Sequence, residues 1–285
     1  PRSTLFPYTT LFRSSISKLI EVISRTVKDG RVVSLIHKYL NAGVLVAGKY
    51  EETKKGVPQG GPLSPLLSNI MLNELDKELT KRGHPFVRYA DDCMIFCKSA
   101  RAAERILASI SKFIEGKLFL KVNRDKTGTG SVCGKKFLGY SFYFDREGKC
   151  QLRPHPKTIM KLKAKLKELT GRSNGMGYAQ RKEALKLFIG GWVEYYKLAR
   201  MKKALETIDA WLRRRIRMCI WKSWKNPRTR IANLIKCGIP RWRAYKHGWI
   251  KGYWRAASMW DCTQAMSNKN LYRAGYRCLM DYYVL

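Results

Sequence analysis

The amino-acid sequence predicts an α+β protein in two parts, and three observations support this. Short strand-like runs such as residues 86–89 and 93–97 occur before residue 150, whereas helical spacing dominates after it. Residues 1–150 carry 26 basic and 14 acidic side chains, and residues 151–285 carry 31 and 7. All eight Trp lie after residue 190. We therefore predict a mixed domain at residues 15–150 and a basic, helical domain at residues 151–285.

The composition restricts the class of protein. The 285 residues contain 57 Lys and Arg against 21 Asp and Glu, which gives a net charge of +36. Such a charge excludes an ordinary metabolic enzyme as the default and makes nucleic acid the first partner to test. The hydrophobic content of 45% excludes a disordered basic tail. No apolar run is long enough for a transmembrane helix, so we expect no membrane partner.

The eight Cys are scattered and form no CxxC pair. A zinc site is therefore disfavoured, and reduced thiols in an intracellular protein are the preferred interpretation.

The first fourteen residues differ from the rest of the chain. They read PRSTLFPYTTLFRS and show no helix or strand periodicity. A common sequencing adapter, translated in one frame, encodes these fourteen residues in order. We therefore expect residues 1–14 to be an assembly artefact and not a basic leader. On that expectation the authentic chain begins in mid-domain, at about Ser15.

Two adjacent carboxylates, Asp91 and Asp92, lie between two strand-like runs. This pattern predicts a β-hairpin with both acids at its turn. Two like charges there are costly unless a cation neutralises them, and hard oxygen ligands favour Mg²⁺. An acidic pair in a strongly basic protein fits two-metal phosphoryl transfer. On its own the pair is weak evidence, because Asp is common in turns.

The segments around this hairpin also have recognisable patterns. Residues 56–65 form a loop rich in Gly and Pro, and an amphipathic helix follows with Ser64 as N-cap and Pro65 at its first position. Residues 118–122 are strand-like. Residues 136–142 alternate like a strand and lead through a turn at 145–149 to a returning strand at 151–153.

The second part combines apolar stripes with basic faces. In the helix predicted at residues 159–169, Lys161 and Lys165 lie between apolar positions. A later helix places Trp211 on an apolar stripe, which predicts a core residue. Its other side carries Arg213, Arg214 and Arg217, for which we favour RNA contact over a merely solvated face.

Four motifs, in order, resemble those of group II intron-encoded reverse transcriptases. They are GVPQGGPLSPLLSNIMLNELD, YADD, LKVNRDKT and KFLGYSF. The segments IGGWVEYY and IPRWRAYKHGWIKGYWRAA resemble that family's thumb and maturase region. The resemblance extends over residues 15–285 and is to bacterial members without a Cys-paired endonuclease domain. It implies a partial right-hand polymerase palm followed by an all-α basic thumb and maturase region.

The resemblance also implies roles for individual residues. Asp91 and Asp92 would be catalytic and would bind Mg²⁺. The nucleotide and template would contact Pro58, Gln59, Gly60 and Lys126. The primer grip would comprise Phe137, Leu138 and Gly139. Intron RNA would contact the basic residues Lys161, Lys165, Arg213, Arg214 and Arg217.

One expected feature of the family is missing from the sequence. The family's palm has a third catalytic carboxylate, which by counting would fall near Phe6, yet there is no Asp or Glu between Pro1 and Ile20. We therefore expect an amino-terminally truncated chain that does not itself polymerise, because a two-metal site without one ligand loses most of its rate.

The resemblance implies an RNA-directed DNA polymerase that is also a splicing maturase and promotes intron splicing and mobility. Its partners would be group II intron RNA, an RNA template with DNA primer and dNTPs, and target DNA, in a bacterial cytoplasmic ribonucleoprotein. The alternative is a non-enzymatic RNA-binding maturase, which would not need the acidic pair. A retron or diversity-generating reverse transcriptase is disfavoured by the long basic region, and a basic structural protein does not explain the acidic hairpin.

Overall fold

The computed structural model describes residues 2–7, 16–46, 49–51 and 61–283, with side chains at 16–43 and 61–283. The chain divides into two compact units, Pro1–Phe137 and Leu138–Leu285. This division precedes the position near residue 150 that the charge distribution indicated. The reason is a hairpin after Leu138 that bonds to the helices that follow it. The Arg200 backbone N–H, for example, donates to the Leu152 carbonyl at 2.9 Å.

The first unit combines a small antiparallel sheet with four helices. Its strands are β1 (Arg2–Pro7), β2 (Val44–Val46), β3 (Lys49–Glu51), β4 (Phe86–Tyr89), β5 (Asp92–Cys97), β6 (Gly128–Ser131) and β7 (Lys136–Phe137). Its helices are α1 (Ile16–Ser24), α2 (Gly30–Asn41), α3 (Ser64–Lys81) and α4 (Ala100–Lys117). The main sheet has the order β4-β5-β1-β6, and β2 pairs with β3 as a separate hairpin.

Strand β1 corrects one sequence-based expectation. The sequence showed no periodic element in residues 1–14, but Arg2–Pro7 pairs antiparallel with β5 on one side and with β6 on the other. Backbone hydrogen bonding from two neighbours thus defines a strand whose own side-chain pattern is uninformative. Its register places Phe6 opposite Cys93 and Pro7 opposite Asp92.

The core of the first unit lies where α3 and α4 contribute apolar faces to the sheet. Met71 and Leu75 of α3, Ile95 of β5 and Ile110 of α4 are fully buried in one cluster. Helix α4 begins at a capping residue, Ser99, whose hydroxyl accepts from the Ala102 backbone N–H at 3.2 Å. Helix α3 begins one residue earlier than predicted. Leu63 is therefore its N-cap, and Ser64 lies inside the helix.

The predicted strand at residues 118–122 is not a strand. Its alternation is real, because Leu118, Leu120 and Val122 are buried while Phe119 is 54% exposed. The segment nevertheless has no ladder partner, and Phe119 has a positive φ of 53° that interrupts an extended strand. Alternating burial thus arises here from an irregular segment packed on the core.

The second unit is a β-hairpin followed by helices only. Its strands are β8 (Tyr140–Phe144) and β9 (Cys150–Pro154), which pair antiparallel as the turn at 145–149 predicted. Its longer helices are α5 (Pro156–Leu169), α6 (Tyr178–Tyr196), α7 (Lys202–Ser223), α8 (Pro227–Lys236) and α9 (Arg241–Gly248). Four short helices follow: α10 (Tyr253–Ser258), α11 (Trp260–Ala265), α12 (Asn268–Arg273) and α13 (Leu279–Tyr283).

One apolar cluster organises these helices. Leu166, Ile189, Leu212 and Leu234 come from four different helices and are fully buried in it. Trp211 packs against this cluster and is partly buried, as its apolar stripe predicted. Asp209, also fully buried, accepts from the backbone N–H groups of Leu279 and Met280 at 2.9 Å each and so holds α13 against α7. Within the described ranges, no helix is long and apolar enough to cross a bilayer.

Candidate functional site

The predicted acidic hairpin is present. Strands β4 and β5 pair so that Tyr89 lies opposite Asp92, which leaves Ala90 and Asp91 as a two-residue turn. Ala90 has a φ of 48°, in the left-handed region that non-glycine residues seldom occupy. Backbone strain of this kind is found at functional sites where surrounding contacts hold it.

Arg88, the next-to-last residue of β4, supplies those contacts. Its Nε donates to Asp76 Oδ1 at 2.8 Å, and its Nη2 donates to Asp76 Oδ2 at 2.5 Å. Its Nη1 donates to Asn69 Oδ1 at 2.9 Å and to the Ala90 carbonyl at 3.0 Å. The guanidinium therefore joins the strained turn to helix α3.

Helix α3 presents both acceptors on one side. Asn69 and Asp76 are seven residues apart, which is close to two helical turns and places them on the same face. The hydrogen bond to Asp76 raises the pKa of Arg88, so this cation is permanent and already neutralised by its partner. None of these three residues was predicted as part of the site, although Asn69 and Asp76 lie in the first quoted motif and Arg88 directly precedes YADD.

The acidic pair lacks an equivalent partner. Burial raises the pKa of the Asp91 carboxyl, the neighbouring charge of Asp92 raises it further, and Arg88 partly opposes this. Among the side chains at 16–43 and 61–283, no Lys or Arg forms an ion pair with either acid. Half-buried carboxylates that repel one another are the donor set that a divalent cation would stabilise.

The described donors supply two carboxylates and no third metal ligand. Within the described residues, no group of three His, Cys, Asp or Glu side chains is arranged to hold a metal ion. Cys93 lies directly behind Asp92, but burial raises the pKa of its thiol to about 12, which makes it an apolar core residue. The pair therefore fits Mg²⁺, which takes few protein carboxylates and completes its shell with water or phosphate.

Other predicted palm residues are only partly placed. Pro58, Gln59 and Gly60 lie outside the described residues. Lys126 is exposed in a turn, where its backbone N–H donates to the Asn123 carbonyl at 3.3 Å. In the part of the chain that the structure describes, no hydrogen bond or ion pair joins Lys126 to the acidic turn.

The predicted primer-grip residues form a kink. Phe137 ends β7, and Leu138 and Gly139 follow with positive φ values of 49° and 84° before β8 begins. Tyr195 of α6 donates from its hydroxyl to the Leu138 carbonyl at 3.0 Å. The Gly139 carbonyl accepts from Thr158 Oγ1 at 2.9 Å. Helices α5 and α6 thus fix the shape of the kink.

The five predicted RNA-binding residues separate into two groups. Lys161, Lys165 and Arg214 are exposed, although Lys165 also pairs with Glu168 at 2.6 Å. Arg214 stacks over Trp254 with its Cζ 5.2 Å from the ring centroid. These three remain available to phosphates.

Arg217 corrects the prediction that it projects outward with its neighbours. It is 8% exposed, and its Nε donates to the Met266 carbonyl at 2.9 Å. Burial lowers its pKa. Arg213 is half-buried, and its charge partly opposes the rise in pKa that burial causes at Asp209. The short helices after α8 cover this side of α7, and the sequence of α7 alone could not show them.

Known proteins resemble both parts of the chain. The model for reverse transcriptase (RNA-dependent DNA polymerase) matches residues 15–142. The model for the group II intron maturase-specific domain matches residues 159–238. Together they account for more than two thirds of the chain, in the order that the motifs indicated.

Individual relatives agree with these matches. Protein YkfC of Escherichia coli is 32% identical over 157 residues, which are 43% of this chain and 41% of that protein. The group II intron-encoded protein LtrA of Lactococcus lactis is 29% identical over 195 residues, covering 46% of this chain and 33% of LtrA. The chain thus spans less than half the length of the curated relatives it matches.

A solved structure of apo telomerase from Candida tropicalis is also similar, at 13% identity and a TM-score of 0.48, covering 99% of this chain and 47% of that one. The two domain matches and the similarity to LtrA indicate the same family. The chain belongs to the family of reverse transcriptases and maturases that group II introns encode.

Proposed function

We propose that this chain is the palm, thumb and maturase part of an RNA-directed DNA polymerase that also assists splicing of its own group II intron. The observation that carries the proposal is the acidic turn at Asp91 and Asp92, which Arg88 fixes to helix α3. A basic scaffold protein would have no use for a strained, self-repelling acidic turn. A polymerase needs one to hold metal at the site of phosphoryl transfer.

In this proposal each part of the site has one task. Asp91 and Asp92 would hold Mg²⁺, which would supply positive charge at the phosphates of the incoming nucleotide. Arg88 keeps the turn in position through the Ala90 carbonyl. Pro58, Gln59, Gly60 and Lys126 contact the nucleotide and template.

The second unit provides the rest of the machinery. The kink that contains Leu138 and Gly139, together with Phe137, holds the primer end. Lys161, Lys165 and Arg214 contact phosphates of the intron RNA. The RNA template, its DNA primer, dNTPs and target DNA complete the partners, in a cytoplasmic ribonucleoprotein.

The register of β1 bears on whether this chain polymerises on its own. We expected a third carboxylate near Phe6, and the register places Phe6 opposite Cys93, the residue that follows the acidic pair. We propose that the chain binds RNA but does not extend a primer while this strand carries no acidic residue.

Two proteins test the proposal: this chain, and a chimera in which residues 1–14 are replaced by the amino-terminal part of a related reverse transcriptase. We expect both to bind intron RNA, and only the chimera to extend a primer on RNA with Mg²⁺. Asp91→Asn in the chimera should abolish extension, lower Mn²⁺ affinity measured by electron paramagnetic resonance, and leave RNA affinity within about twofold.

The outcomes separate the alternatives. Extension that survives Asp91→Asn removes Asp91 from the metal site. Tight RNA binding by both proteins without extension by either favours the non-enzymatic maturase. Absence of RNA binding at low salt contradicts the proposal as a whole.

A further inference from the structure

The eight Trp divide by exposure along the chain. Trp221 of α7 is fully buried, and Trp192, Trp211 and Trp224 pack against the core. The other four are exposed, and they lie between residues 242 and 260: Trp242 at 69%, Trp249 at 68%, Trp254 at 40% and Trp260 at 54%. This stretch follows the region that the maturase model matches, residues 159–238.

Two of the exposed indoles share one guanidinium. Arg243 of α9 has its Cζ 4.1 Å from the ring centroid of Trp260 and 5.6 Å from that of Trp242. A separation near 4 Å is that of a stacked pair. We call these three side chains the Trp–Arg–Trp cluster.

The buried carboxylate of Asp261 holds Arg243 of this cluster in place. Arg243 Nε lies 2.7 Å from Asp261 Oδ1, and Asp261 immediately follows Trp260 in α11. His247 lies 3.4 Å from the other Asp261 oxygen, but it is buried, and burial lowers its pKa, so it is neutral near pH 7. Arg243 is therefore the cation that balances Asp261, which holds the guanidinium and the adjacent indole in one arrangement.

The surroundings of the cluster are strongly basic. Residues 239–265 contain five Lys and Arg but one acid, Asp261, whose charge Arg243 balances. Arg241, Lys246, Lys251 and Arg255 are all exposed. A fixed aromatic surface among unbalanced cations is suited to binding a nucleic-acid strand, whose bases offer π-faces and whose backbone carries phosphates.

We propose that the Trp–Arg–Trp cluster is a stacking platform for unpaired bases of a single-stranded nucleic acid. The inference rests on the proposed nucleic-acid function and adds a contact to bases, separate from contacts to phosphates. An acidic protein partner would also satisfy the charges, but it would not need two exposed indoles beside one guanidinium.

The test compares a normal and an abasic oligonucleotide of equal length. Binding of a labelled twelve-nucleotide oligo(U), oligo(dU) and an abasic strand is measured by fluorescence anisotropy. Trp260→Ala should weaken binding of the strands that carry bases by about tenfold, since stacking of one base is worth roughly that factor. Binding of the abasic strand should change by less than about twofold.

Matched variants control for structure. Trp249→Ala removes an even more exposed indole, at the end of α9 and outside the Trp–Arg–Trp cluster, and should leave binding within about twofold. Trp260→Phe keeps an aromatic face and should restore most of the affinity. Circular dichroism of each variant verifies the fold.

Equal weakening for the normal and abasic strands, or none for either, would overturn the stacking platform. So would a change in sedimentation of Trp260→Ala without a change in binding, because the cluster would then serve protein association. The oligo(U) and oligo(dU) arms show whether the platform takes RNA, DNA or both. If the unaltered chain bound no strand at low salt, the proposed function itself would fail.

Discussion

Arg88 is the residue on which the geometry of the acidic turn depends. Its side chain is 12% exposed and that of Asp76 is 23% exposed, so water screens this ion pair poorly. The same guanidinium satisfies the carbonyl of Ala90, a residue held in a strained conformation. Losing the guanidinium would leave a carboxylate and a carbonyl without a donor.

We predict that Arg88→Leu lowers the free energy of unfolding by about 2 kcal/mol, because an unpaired, partly buried acid remains. Urea unfolding followed by far-ultraviolet circular dichroism measures it, since the first unit has no Trp. Arg124→Leu is the control: Arg124 pairs with Glu115 at 3.3 Å while 82% exposed, so its loss should cost less than about 0.5 kcal/mol. Equal losses would show that Arg88 contributes no more than a surface pair.

Thiol reactivity offers a second check on single residues. Burial raises the pKa of Cys93, Cys262 and Cys278 to about 12, whereas Cys133 and Cys150 are exposed. Because the thiolate is the reactive form, alkylation by iodoacetamide at pH 8 should modify Cys133 and Cys150 first. Cys237 is also exposed, but partial burial of its thiol raises its pKa, so it should react after these two. Mass spectrometry of peptides identifies the modified sites. Rapid alkylation of Cys93 in folded protein would contradict the burial of strand β5, which begins at Asp92.

Single residues also show how far the sequence informs about the site. The acidic pair was predictable because its neighbours in sequence define both the turn and the chemistry. Arg88 was not, because no sequence pattern shows that its side chain bonds back to Asn69 and Asp76 of the preceding helix. The prediction for Arg217 was wrong because the sequence of α7 alone indicates an exposed face there. In the structure, the short helices after α8 cover that face.

The hairpin of β8 and β9, together with helix α6, is the element that shapes the predicted primer grip. Tyr195 bonds the Leu138 carbonyl, and the Tyr140 hydroxyl in turn donates to the Tyr195 carbonyl. Gly139 has a φ of 84°, and a side chain there would meet the hydroxyl of Tyr196. The kink therefore requires Gly for both backbone and space.

Gly139→Ala should lower the free energy of unfolding by about 3 kcal/mol, since left-handed strain and a steric clash add together. Gly148→Ala is the matched control, because Gly148 has a φ of 75° and open space around it. It should lose about 1 kcal/mol from strain alone. Trp fluorescence during urea unfolding measures both, since Trp192 lies 4.6 Å from Tyr196 between ring centroids. Equal losses would mean that Tyr196 moves aside.

Elements were predictable where their periodicity agreed with tertiary pairing. The β4–β5 hairpin and the β8–β9 return satisfied this condition, because turn residues and alternation occurred together. Residues 118–122 were wrongly predicted as a strand, since their alternate burial occurs without a neighbouring strand to pair with. Strand β1 was not predicted, because its pairing with β5 and β6 defines it and its own sequence shows no strand periodicity.

Positive charge is distributed unevenly between the two units of the molecule. The first unit carries 24 basic and 12 acidic residues, and the second carries 33 and 9, so two thirds of the net charge of +36 lies in the second. Self-repulsion of this size is tolerated where a polyanion neutralises it. The acidic turn in the less basic unit thus accompanies a second unit suited to holding RNA.

This distribution predicts steep salt dependence, to which exposed residues of the second unit contribute individually. Arg214 is exposed and held over Trp254, so Arg214→Ala should reduce the slope of log affinity against log salt by about 0.7 to 0.9, the value of one phosphate contact. Arg214→Lys keeps the charge and should keep the slope. Filter binding of intron RNA across a salt series measures it. An unchanged slope in Arg214→Ala would remove this face of α7 from the RNA interface and leave α5, with Lys161 and Lys165, as the basic surface to examine.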